Sequence, residues 1–150
     1  MSQNEVNKSE MTDEEIRQLV AESDTGGRRP QGLSAKIVMY VALAWSMFQL
    51  WIASPLPFSL GVFVLNDTQS RAIHLAFALF LGYMLFPPLK SSPRTRIPVQ
   101  DWILALLASF CAAYLYLFYA QLAARPGQPT TLDLVVAVGG IALLLEATRR

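Results

Sequence analysis

The sequence predicts an all-α membrane protein: four transmembrane helices preceded by a short amphipathic helix near the N-terminus. Three observations predict it. Only 15% of the 150 residues are charged while 53% are apolar or aromatic, against roughly 25% charged in ordinary soluble domains. The charges are also segregated, with no Lys, Arg, Asp or Glu in windows 37–66, 72–89, 102–124 and 134–145. Each window supplies a run near the ~20 apolar residues that a helix needs to cross the hydrocarbon core, the last with help from its flanks. Finally, window 102–124 lacks the polar stripe that a soluble core helix keeps toward water.

The elements follow in order. Residues 1–34 read as a cytoplasmic N-terminal segment and 35–150 as the four-span domain. In the segment, Thr12 and Glu15 form a capping-box pattern, and Ile16, Leu19 and Val20 lay one apolar stripe along a helix that Gly26 and Gly27 stop. The acidic residues of this helix favour docking on protein over anionic lipid. Acidic residues crowd the first 30 positions, the wrong order for a signal peptide, so the first span is expected to direct insertion itself. That span covers about 35–54 and ends at Pro55 and Pro57. The apolar stretch that follows is too short to cross and reads as an interfacial or re-entrant excursion packed against protein.

Asn66 or Asp67 caps the second span, about 68–86, which Pro87 and Pro88 stop. Asp67 and Arg71 are spaced for an i,i+4 pair. A basic, proline-rich loop leads to the third span, about 101–124, opened by Asp101 where the helix dipole favours an acid. Arg125, Pro126 and Gly127 mark its end, and the fourth span covers about 132–148. Ten of the 12 basic residues lie in the N-terminal segment with Lys36 just after it, the second connection and the C-terminus, and only Arg71 and Arg125 in the other two connections. The positive-inside rule then places both termini in the cytoplasm.

Few residues carry chemistry. The net charge is +1 and no basic patch interleaves with aromatics, so no nucleic-acid partner is expected. Cys111 is the one cysteine and His74 the one histidine, which leaves no set of strong ligands for a metal or haem. Accordingly no catalytic residue, metal or cofactor is expected. His74, with Arg71 one turn before it, reads as a polar contact to another helix. Asp133 opens the fourth span, and Glu146 near its end has Arg149 and Arg150 at i+3 and i+4 for local neutralisation. No span has the broken helix that forms midplane ion sites in transporters. Ala105, Ser109 and Ala113 recur every four residues, as do Ala108 and Ala112, the spacing at which small residues let helices approach closely. Gly139 and Gly140 offer a second approach point, and Tyr114, Tyr116 and Tyr119 read as an aromatic belt. Small residues without a site describe a scaffold that packs on partner helices.

Several motifs resemble the small-subunit region of a tripartite ATP-independent periplasmic (TRAP) transporter of the TAXI type. They are Leu143-Leu144-Leu145-Glu146-Ala147-Thr148-Arg149-Arg150, Arg71-Ala72-Ile73-His74-Leu75-Ala76-Phe77-Ala78, Asp24-Thr25-Gly26-Gly27-Arg28, and Pro129-Thr130 with Asp133. The resemblance implies a bacterial inner-membrane scaffold that braces a large elevator-type permease subunit. It also implies a periplasmic substrate-binding protein as partner, besides membrane lipid, and uptake of an organic acid on a cation gradient. Fused members of that family continue beyond the arginine pair into the large subunit, so a separate subunit and part of a fused permease both stay open. Rival readings are a membrane anchor of a redox enzyme using His74 and a small transporter acting alone.

Overall fold

A computed structural model describes residues 27–28, 30–87 and 97–150. The expected N-terminal amphipathic helix lies outside the described residues, as does most of the basic loop. Among the described residues the secondary structure is helical throughout: α1 (Leu33–Ala53), α2 (Leu56–Leu60), α3 (Asp67–Leu85), α4 (Val99–Leu117), α5 (Tyr119–Ala123) and α6 (Thr131–Thr148). Three of these, α1, α4 and α6, are long and apolar enough to cross a membrane. At 1.5 Å per residue they extend about 31, 28 and 27 Å, close to the hydrocarbon thickness of about 30 Å. The described residues are therefore all-helical, with three helices of the length and apolarity of a membrane protein.

Local chemistry sets the ends of each helix. The Ser54 N–H closes α1 on the Leu50 and Trp51 carbonyls at 3.1 and 3.2 Å, and Pro55 prevents the helix from continuing. Pro57 sits in the first turn of α2, where its missing N–H costs nothing, and Gly61 ends that helix with a left-handed φ of 65°. Asn66 caps α3 in a reciprocal box. The Gln69 N–H donates to Asn66 Oδ1 at 2.8 Å, and the Asn66 N–H donates to Gln69 Oε1 at 3.2 Å. Thr130 and Asp133 form the same device on α6. Each box satisfies two donors that the helix ladder leaves over.

One expectation is corrected. The third span is not one helix over 101–124: it leaves helical geometry at Phe118 (φ −109°, ψ 19°), and α5 restarts as a separate five-residue turn. The bend brings Arg125 back toward Asp133, and that ion pair is its structural counterpart. In the stretch after α1, Pro57 is buried, while Phe58, Leu60, Val62 and Phe63 are exposed on this chain.

Packing joins the long helices as successive antiparallel neighbours. The Arg28 N–H, just before α1, donates to the Leu85 carbonyl at the far end of α3 at 2.6 Å. Phe80 on α3 meets Trp102 on α4, and Tyr114 on α4 meets Asp133 on α6. The α3–α4 interface is the most extensive, and α6 packs mainly on α4. The core lies between them, with Tyr83, Met84, Ala105 and Ala108 fully buried and Leu79, Leu81, Val38 and Ala112 around them. Alanines on α4 let α3 approach closely, so the large Tyr83 and Met84 side chains interdigitate with small partners. In an apolar solvent this packing replaces the hydrophobic effect as the force that joins helices.

Candidate functional site

Polar side chains meet in three places, and a cleft opens between α3, α4 and α6. The first polar group lies at the Asp101 end of the bundle. Asp101 is the third residue of α4 and only 2% exposed. Its Oδ1 lies 2.9 Å from Arg150 Nη1 and its Oδ2 2.5 Å from Arg28 Nη2. The Arg28 contact is a charge contact without hydrogen-bond alignment. Arg150 also donates to the Phe86 carbonyl at 3.3 Å and lies 4.3 Å over the Tyr83 ring, a cation–π placement. The Tyr83 hydroxyl in turn donates to the Leu143 carbonyl at 2.7 Å. One buried carboxylate thus gathers the segment before α1, the end of α3, the start of α4 and the end of α6. Burial of such charges is tolerated only when they are paired.

This geometry revises the expected neutralisation of Glu146. Arg149 stays near it, with Nε 3.6 Å from Glu146 Oε2 at an exposed site, where such a pair contributes little. Arg150 turns away to Asp101, and its side chain is nearly fully buried. Sequence reasoning read Asp101 only through the helix dipole and Arg28 only through its side of the membrane. The available signal was an acid within the first turn of an apolar helix, with arginines at the ends of two others.

The second group lies at the opposite end, around Asp133. Its Oδ1 accepts from the Tyr114 hydroxyl at 2.6 Å. Its Oδ2 accepts from the Thr130 N–H at 2.8 Å and pairs with Arg125 Nη2 at 3.0 Å. Tyr114 is buried and so leaves the aromatic belt expected for it with Tyr116 and Tyr119. Its ring stacks against Phe118 at 4.6 Å between centroids, at the bend after α4.

The third group links α1 to α3. His74 Nδ1 receives Trp45 Nε1 at 3.4 Å and contacts Gln49 Nε2. Arg71 is engaged elsewhere, with Nη2 3.0 Å from Asp67 Oδ2. The helix that His74 contacts is therefore α1 of the same chain. No group of three or more potential metal ligands occurs among the described residues.

The small residues divide. Ala105, Ala108 and Ala112 are buried in the core, and Ser109 Oγ donates to the Ala76 carbonyl at 3.0 Å. Ala105 and Ser109 thus serve the close approach of α3 and α4 inside the chain. Ala113 lines, together with Ser109, a shallow apolar groove of about 280 Å³ beside Val41, Phe77 and Phe80. A Cβ on Gly140 would lie 3.3 Å from Cys111 Cβ, whereas one on Gly139 would meet nothing within 4 Å. Gly140 is therefore a contact with α4, and Gly139 faces outward. Beside Gly140, α3, α4 and α6 enclose an open cleft of about 650 Å³.

These arrangements pair each buried acid with hydroxyl, amide or guanidinium donors from another part of the chain. Such pairing fixes helices relative to one another. No protein-family model matches the chain, and neither does any curated protein or solved structure.

Proposed function

We propose that this protein is the small membrane scaffold subunit, or the corresponding domain, of a TRAP-type transporter that takes up organic acids on a cation gradient. In this reading α3 is a fourth crossing, both termini are cytoplasmic, and the membrane is the bacterial inner membrane. The observation that carries the scaffold role is the division of polar and apolar surface. Asp101, Asp133 and His74 are engaged inside the chain, while α1 and α6 turn Leu43, Met47, Leu50, Val135, Val138 and Leu145 outward. A unit locked internally and apolar outside suits a brace for other membrane helices. The transporter assignment rests on the motif resemblance, above all Leu143 to Arg150. The length of α3, 19 residues or about 28 Å, and its place between α1 and α4 support a fourth crossing.

Within the expected interface, Ala113 and Gly139 are the small residues left open to helices of a large permease subunit. The test is co-purification with that subunit after co-expression in a bacterial membrane. Ala113→Trp and Gly139→Leu are expected to abolish co-purification and uptake with the periplasmic binding protein present, while each variant stays helical and monodisperse. Full assembly and uptake by the double variant would reject the proposed interface.

A further inference from the structure

The connection between α1 and α3 is longer than its path requires. His74 on α3 meets Gln49 on α1. From that contact α1 runs four residues on to Ala53 and α3 runs seven back to Asp67, about 6 and 10 Å at 1.5 Å per residue. The two helix ends therefore stand near one level. Asp67 and Thr68 line one cleft with Leu122, Pro129 and Asp133, so the turn between α5 and α6 lies at the same end. Neighbouring helices in bundles are joined by about 2–8 residues. Residues 54–66 fill this gap instead, and none of them is charged.

The surplus chain is made to face an apolar medium. Pro57 is buried, whereas Leu56, Phe58, Leu60, Val62, Phe63 and Val64 are exposed. Its hydroxyls bond inward: Ser54 Oγ donates to the Trp51 carbonyl at 2.8 Å and Ser59 Oγ to the Leu56 carbonyl at 3.1 Å. Phe63 holds a left-handed φ of 52°, costly for an aromatic residue, yet its side chain stays exposed. The residue types select lipid over a partner helix. Helices that pack within membranes meet through small residues, and the exposed side chains here are large. They also follow directly on the apolar exterior of α1 at Met47 and Leu50. Backbone geometry sets the depth, because irregular backbone facing lipid does not occur within the hydrocarbon and the chain leaves helical geometry at Gly61. We infer that residues 55–64 lie at the lipid headgroup boundary, insert Phe58 and Phe63 among the acyl chains, and fix the depth of this end of the bundle. The inference rests on the reading that α1, α4 and α6 cross a bilayer, and not on the transporter assignment.

The test uses the full chain in vesicles of phosphatidylethanolamine and phosphatidylglycerol. In a Cys111→Ala background, Leu60→Cys, Val62→Cys, Leu43→Cys and Gln128→Cys each carry one nitroxide, whose collisions with oxygen and with a water-soluble nickel chelate report depth. The labels at Leu60 and Val62 are expected about 5–10 Å into the boundary, between the deep label at Leu43 and the aqueous one at Gln128. Phe58→Ser combined with Phe63→Ser should shift the Leu60 label to the nickel-accessible side and leave the Leu43 label unchanged. A nickel-accessible label at Leu43 would refute the bilayer reading itself. With Leu43 in lipid, labels at Leu60 and Val62 that meet nickel as freely as the one at Gln128 overturn the anchor alone. Labels shielded from both reagents, the signature of a protein cover, overturn it too, as do labels as deep as the one at Leu43.

Discussion

Replacing Asp101 with Asn tests the buried ion group directly. The substitution keeps the shape of the side chain and removes its charge, leaving Arg28 and Arg150 facing one another in a site where the carboxylate was 2% exposed. Both guanidinium contacts, at 2.5 and 2.9 Å, then lose their counter-charge. Breaking a buried pair from one side costs about 3–5 kcal/mol, and at about 2–4 °C per kcal/mol for a chain of this length the thermal midpoint should fall by roughly 6–20 °C. Arg150→Met should cost less, because Asp101 keeps Arg28 and no charge of like sign is left opposed. The double variant should lose less than the sum of the two singles, since one removes the reason for the other. The assay is thermal unfolding of purified protein in one detergent, followed by circular dichroism and by size-exclusion monodispersity. A midpoint for Asp101→Asn equal to the parent, or a larger loss for Arg150→Met, would refute the claim that Asp101 is the centre of the group.

Two further predictions concern the small residues. Ala105→Leu puts three extra carbons into a fully buried core site and should cost about 1–3 kcal/mol by overpacking, whereas Ala113→Leu, beside an open groove, should be tolerated; equal losses in thermal unfolding would contradict the packing described. Gly139→Ala should stabilise α6 by up to about 1 kcal/mol through helix propensity, because its Cβ meets nothing, while Gly140→Ala should yield less, since its Cβ meets Cys111 at 3.3 Å. Identical gains would show that α4 and α6 are not in contact there.

Much of the helical layout is legible in the punctuation of the sequence. Pro55, Asn66, Pro87, Pro98 and Thr130 each stand within a residue or two of a helix end, because proline and capping residues act through their own backbone and need no distant partner. The bend at Phe118 has no such mark. It accompanies Arg125 and Tyr114 closing on Asp133, a contact between residues 8 and 19 apart. The Asp101 group is harder still to read, since Arg150 lies 49 positions away and nothing local distinguishes it from Arg149. Local reasoning paired both arginines with Glu146, the nearest acid, and only tertiary packing separates them. The Ala/Ser stripe was readable as a close-approach surface, but not the identity of the helix that occupies it. Spacing reports the face of a residue and leaves the neighbour undetermined.

The Asp101 group also imposes an order on biogenesis. Arg28 and Asp101 are both synthesised before α6, so the carboxylate can find its first counter-ion as soon as α4 leaves the translocon. Arg150 follows α6, and its contact with Asp101 closes only after α6 has packed beside α4. Until then α4 carries an acid at its margin with half of its final compensation, and the nascent chain retains a reason to hold the site open. Packing of α6 is thereby the step that completes the Asp101 group, and a chain halted before it would leave that carboxylate with Arg28 alone.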